Sequence, residues 1–184
     1  MTLTDHIHFA IVNYQKNESI RNTLLYDIKR MYRKEFKVAL DSLKMIKEAT
    51  GIELSEDEAA SITLHFINAA GNHEIPEMVE IMNVVQEVLN ITKYTLNIEY
   101  DEDTLNYYRF VNHLKFFAER VVTKNFYEDN DRELFEMISL KYPNAYECSK
   151  KILEFILHKY DICITTEELL YLTVHIERLL QNKR

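Results

Sequence analysis

A chain of 184 residues is long enough for one large domain or two of about 90 residues each. With only two Gly and two Pro it lacks the turn residues of a large β protein, and 47% hydrophobic residues, 12 Tyr and 9 Phe among the aromatics, exclude a disordered chain. A net charge of −8 disfavours direct binding to a phosphate backbone, no run of about 20 apolar residues is present to span a membrane, and the polar N-terminus has no basic region of a secretory signal.

The apolar spacing predicts an all-α protein. A first helix is expected from about Leu3 to Tyr14. A second follows Ser19 and places Ile20, Leu24, Ile28 and Met31 on one stripe. A third covers about Lys34–Thr50 with Phe36, Leu40, Leu43 and Ile46, and Gly51 caps its C-terminus. A fourth opens at Ser55 with Glu58 three residues on, a capping-box pattern, and runs to about Ala70. Gly71 and Pro76 break the chain before a long helix from Glu77 to about Leu96. Asp103 is placed to cap the next helix, which carries Phe110 and Phe116 to about Val122. Glu128–Asp131 read as a polar loop, followed by helices at about Arg132–Leu140, Pro143–Tyr160 and Thr165–Leu180. Thr165 with Glu168 repeats the capping box. Cys148 and Cys163 have neither metal-type nor redox-type spacing, which fits a reduced, cytoplasmic protein.

These helices fall into a duplication. Residues 32–70 lie over 142–180 at a constant offset, without a gap. Tyr32/Tyr142, Leu43/Leu153, Ile46/Ile156, Ile52/Ile162, Glu58/Glu168, Thr63/Thr173 and His65/His175 are identical. At a slightly shorter offset His6 lies on His113, Ile7 on Leu114 and Phe9 on Phe116, and an insertion in the Asn125–Asp131 loop absorbs the difference. Two tandem homologous helical-bundle domains are therefore expected, over residues 1–74 and 75–184. The counterpart of the helix Glu77–Leu96 would fall before residue 1, so the first domain is expected to lack its opening helix.

Seven histidines occur, and four of them, His6, His65, His113 and His175, sit at repeat-equivalent positions. A duplicated core keeps any residue type, and these positions kept a titratable one. A metal site fits poorly: the His6–His8 pair lies on a helix, where residues two apart diverge, and no Cys or Glu-x-x-His pattern supports it. Enzymatic acid–base catalysis lacks a Gly-rich phosphate loop and an activated nucleophile. No cofactor is implied. The third option is that an imidazole nitrogen accepts a phosphoryl group, which adds about two negative charges and needs basic neighbours. Arg178 lies three residues after His175, and Arg109 and Arg120 lie along the His113 face, whereas the position matching Arg178 in the first copy is Asn68. Ordinary surface solubility is the plain alternative for these arginines.

Four segments carry a family likeness: Asp5-His6-Ile7 with Phe9-Ala10, Leu64-His65-Phe66-Ile67-Asn68, His113-Leu114-Lys115-Phe116-Phe117-Ala118-Glu119-Arg120, and Leu172-Thr173-Val174-His175-Ile176-Glu177-Arg178. They resemble the phosphotransferase-system regulation domains (PRD1 and PRD2) of transcriptional antiterminators of the BglG, SacY and LicT type. Tyr107-Tyr108-Arg109-Phe110 with the His113 segment is especially similar to the LicT-type members. The resemblance covers essentially the whole chain. It implies helical bundles in a homodimer, with no enzymatic activity of their own, whose four histidines take phosphate from the sugar phosphotransferase system. His6 and His65 match positions through which the sugar permease, enzyme II, inhibits. His113 and His175 match positions phosphorylated by the phosphocarrier HPr, which activates. Asp5, Arg109, Arg120 and Arg178 are the candidate supports for the phosphate. RNA is bound through a separate N-terminal domain in that family. The sequence departs from the family at Asn13, where an Arg is frequent, and His8 is an additional histidine without an assigned role. Two other readings remain open: the same domains in a DNA-binding transcriptional activator, or a structural helical dimerisation module.

Overall fold

The computed structural model describes residues 2–18, 20–71, 74–126 and 132–181. Among these residues the regular elements are nine helices and no strand: α1 (Leu3–Gln15), α2 (Leu25–Met31), α3 (Arg33–Thr50), α4 (Glu56–Ala70), α5 (Ile75–Leu96), α6 (Leu105–Thr123), α7 (Arg132–Lys141), α8 (Pro143–Tyr160) and α9 (Thr166–Gln181). The chain divides into two compact units, Met1–Met78 and Val79–Arg184. In the first, α3 packs on α4, α2 on both, and α1 on α4. In the second, α8 and α6 pack on α9, and α7 on α8 and α9.

The duplication extends to the backbone. Tyr32 and its counterpart Tyr142 leave the helical region at φ −126°, ψ 47° and φ −126°, ψ 61°, and so separate α2 from α3 and α7 from α8. Both following helices run 18 residues. They end in a left-handed residue at matched positions: Gly51 at φ 73° and Asp161 at φ 54°. Glycine takes this conformation without a Cβ clash, and Asp is among the few other residues that tolerate it. The buried Thr63 and Thr173 each return a hydroxyl hydrogen bond to the carbonyl four residues earlier, at 2.8 Å and 2.7 Å.

Each core follows the helical stripe. On α6 the buried residues are Tyr107, Phe110, Val111, Leu114, Phe117, Ala118 and Val121, a three–four spacing that places one face inside. The stripe of α9 is Glu168, Leu169, Leu172, Thr173, His175, Ile176 and Leu179, so two ionisable residues sit on an apolar face. In α5, Ile81, Met82, Val84, Val85, Val88 and Leu89 are buried. Tyr160 at the end of α8 donates its hydroxyl to the Glu80 carboxylate at 2.6 Å.

Four local expectations require correction. The helix expected after Ser19 begins only at Leu25, and Ile20 is exposed rather than on its inner stripe. Asn22 stops an earlier start: its backbone N–H donates to the Asp57 carboxylate at 2.8 Å, its amide donates to Ser61 at 3.2 Å, and its side-chain oxygen accepts from Leu24 N–H at 2.9 Å. Thr104, not Asp103, caps α6, accepting from Tyr107 N–H. The box at Ser55 does not form, because Ser55 donates to Asp57 and Glu58 points elsewhere. At α9 only half of the box is present, Glu168 N–H donating to Thr165 at 3.4 Å. Ser19, His73 and the polar loop at Glu128–Asp131 lie outside the described residues.

Candidate functional site

The two helices bearing repeat-equivalent histidines pack against each other in both units, and their rings meet. His6 on α1 and His65 on α4 have ring centroids 5.2 Å apart and planes tilted by 42°. His113 on α6 and His175 on α9 are closer, at 3.6 Å and 30°. The spacing that buries one face of each helix carries the histidines to its edge, and in the second unit one ring stays inside while its partner reaches outward. His175 is buried while His113 is exposed. In the first unit both rings are half-buried.

The charged surroundings of the pairs differ. In the second unit Arg120, two turns beyond His113, grips both oxygens of Glu168, with Nε on one and a terminal nitrogen on the other at 2.8 Å. Such a fork engages both carboxylate oxygens and accounts for an acidic residue on the buried face of α9. The repeat position matching Arg120 is Asn13, which is buried and uncharged. With no guanidinium there, the equivalent carboxylate of Glu58 reaches His6 Nε2 at 2.9 Å. One duplicated glutamate therefore binds an arginine in one unit and a histidine in the other.

The proton affinities follow this environment. Burial first, then the neighbouring His113 and the Arg178 guanidinium, hold His175 down to about 4. Burial, Arg178 and Arg120 also lower His113. Burial and His6 lower His65. At neutral pH these three rings are neutral, with a nitrogen lone pair free for a hydrogen bond or for nucleophilic attack.

The remaining candidates are placed less closely. Arg178 is exposed one turn beyond His175, and its backbone carbonyl accepts from the Asn106 amide at 2.9 Å. Arg109 is exposed on α6. The Asp5 carboxylate turns back to accept from Thr2 N–H at 3.0 Å and the Thr2 hydroxyl at 2.8 Å, forming the cap of α1. His8 is exposed. A cleft of about 330 Å³ opens over the second pair, lined by Phe110, His113, Phe117, Arg120, Tyr171 and His175. Phe116 and Tyr171 are exposed at this cleft. Sequence reasoning missed Glu58 and Glu168 as site residues, because each also fits a capping box. The signal available was their identity across the repeat together with the Asn13 for Arg120 exchange.

Two copies of one helical unit, each bringing two tilted histidine rings together, define a duplicated histidine-bearing helical protein rather than a single-site globular domain. The model of the PRD domain family matches residues 1–69 and 86–179, and the chain belongs to that family. Over 181 residues it is 48% identical to the transcription antiterminator LicT of Bacillus subtilis (strain 168), covering 98% of this chain and 65% of that protein. It is 45% identical to the beta-glucoside operon antiterminator of Dickeya chrysanthemi over 179 residues, 97% of this chain and 63% of that one. Protein GlcT of Staphylococcus aureus (strain JH9) is 30% identical over 176 residues, 96% of this chain and 62% of that protein. The chain thus spans less than two thirds of the length of these curated relatives. No helix among the described residues is long and apolar enough to cross a membrane.

Proposed function

We propose that this chain is the regulatory region of a cytoplasmic transcriptional antiterminator, phosphorylated on His6, His65, His113 and His175 by the sugar phosphotransferase system. Phosphorylation controls homodimerisation, and through it RNA binding by a separate N-terminal domain. The observation that carries this reading is the meeting of the four repeat-equivalent histidines as two ring pairs. A dianionic phosphoryl group on His113 or His175 lies near the Arg178 and Arg120 charges, and the exposed Phe116 and Tyr171 offer a protein donor a surface to rest on. HPr is the donor for this second pair. Enzyme II acts on the first pair, whose surroundings include Glu58 and lack both arginines. The domain boundary falls near residue 75. The chain inserts into no membrane and catalyses no reaction of its own.

The test is incubation with enzyme I, HPr and phosphoenolpyruvate. Acid-labile phosphate on His113 or His175 is expected, and its absence from both refutes the reading.

A further inference from the structure

Glu58 and Glu168 occupy one position of the repeat, yet only Glu58 touches a histidine. A carboxylate accepts hydrogen bonds and does not donate them at neutral pH. His6 must therefore offer Nε2 as N–H, and in the neutral ring the lone pair then resides on Nδ1. The contact is not on the open surface, since the two side chains are 13% and 12% exposed. In the second unit the guanidinium of Arg120 occupies both oxygens of Glu168, and among the described residues no carboxylate hydrogen-bonds His113 or His175.

We propose that Glu58 is a positioning residue that makes Nδ1 of His6 the nitrogen that takes up a phosphoryl group, and that Asn13 permits this by leaving Glu58 unheld. The inference rests on the phosphoryl-acceptor reading above and adds which atom accepts. The Nδ1 lone pair attacks phosphorus, and an N–P bond forms. The bond from phosphorus to the donor's leaving atom breaks, and its electron pair departs with that atom. The ring then carries positive charge with Nε2–H still in place, and the Glu58 carboxylate offsets that charge. Attack through Nε2 requires the proton to be lost first and puts the phosphoryl dianion against a carboxylate, so it is disfavoured on charge alone. Among the described residues no such carboxylate reaches the equivalent His113 to impose a tautomer.

The experiment uses the full chain and potassium phosphoramidate, a phosphoryl donor that needs no partner protein. The phosphohistidine isomer at each site is read by NMR correlation of phosphorus with the ring atoms. The Nδ1 isomer is expected to dominate at His6. Glu58→Ala and Asn13→Arg each lower the Nδ1-to-Nε2 ratio there by about tenfold, the scale of one charge-assisted hydrogen bond. Glu58→Gln, whose amide oxygen still accepts from Nε2, retains the Nδ1 product. Asn13→Arg places a large side chain at a buried position, so Glu58→Ala decides the matter if that variant fails to fold. A dominant Nε2 isomer at His6, a ratio unmoved by Glu58→Ala, or phosphate on His65 with none on His6 overturns the proposal. Nδ1 labelling by phosphoramidate without any transfer from HPr supports this assignment while refuting the partner system proposed above.

Discussion

The lowered proton affinity of His175 makes the second unit sensitive to mild acid. In the fold this ring titrates near 4 rather than at its ordinary 6.5, because it is buried beside His113 and Arg178. Above pH 6.5 the ring is neutral in both folded and unfolded chains, and its contribution to stability is fully present. As the pH falls through 6.5 the unfolded chain takes up a proton that the folded ring refuses, so stability is lost until the pH reaches the folded value. Linkage puts the loss at about 2 kcal/mol by pH 5 and about 3 kcal/mol below pH 4. His113 is lowered as well and acts in the same direction. The assay is hydrogen exchange of the buried α9 amides between pH 7 and 5, which follows opening of this unit by itself. His175→Gln is the control, and it should remove most of the pH-dependent difference. A His175 ring that titrates at or above 6.5, or parallel losses in parent and His175→Gln chains, refutes the reasoning.

Other perturbations follow from the same geometry. Arg120→Ala strands the buried Glu168 carboxylate and should destabilise the second unit by about 2 kcal/mol, below the range for a fully buried pair because Arg120 is 27% exposed; urea unfolding measures it. The freed carboxylate should then raise the NMR titration midpoint of His113. Gly51→Ala forces an L side chain into φ 73° and should cost about 1 kcal/mol, whereas Asp161→Gly relieves a left-handed residue at the matched position and should be neutral or stabilising by a few tenths of a kcal/mol, about the balance of relieved strain and added chain entropy; thermal melts separate the two signs. The double variant His113→Asp with His175→Asp carries part of the phosphoryl charge and should tighten the dimer in sedimentation velocity, an unchanged association constant counting against the proposed mechanism.

Much of the fold was legible because apolar periodicity, Gly and Pro punctuation and the internal repeat agreed with one another. The ends of α8 and the left-handed cap at Gly51 followed from local chemistry alone. At Asn22, Glu58 and Glu168 a tertiary partner outcompeted a local one, whereas α6 took its cap from the neighbouring Thr104. Asn22 is held by Asp57 and Ser61 from α4, so apolar spacing from Ile20 to Leu24 could not start a helix. Glu58 and Glu168 have the spacing of capping residues, but a histidine and an arginine reached from another helix bind their carboxylates more strongly than a backbone N–H does. The histidine register was visible in sequence, whereas the ring separations of 5.2 Å and 3.6 Å and the loss of proton affinity depend on helix packing. The Asp5 carboxylate caps α1 through Thr2, a local contact that its place beside His6 did not reveal.

The duplication supplies two units with matched histidine pairs, and around those pairs they differ in charge at two positions. Arg120 and Arg178 in the second unit are Asn13 and Asn68 in the first. With both arginines present, the glutamate is neutralised and the histidine pair stays uncharged, so a phosphoryl group would arrive in a positive field that gains from its charge. With both absent, the glutamate is turned onto a histidine, and an added dianion would meet a carboxylate nearby. A modification shifts a conformational equilibrium only by the difference in its interaction energy between the two states. Equal phosphorylation of the two histidine pairs would therefore have unequal consequences. On this view, introducing arginines at positions 13 and 68 together should move the response of the first unit toward that of the second, which the dimer association constant of the phosphorylated chain would read directly.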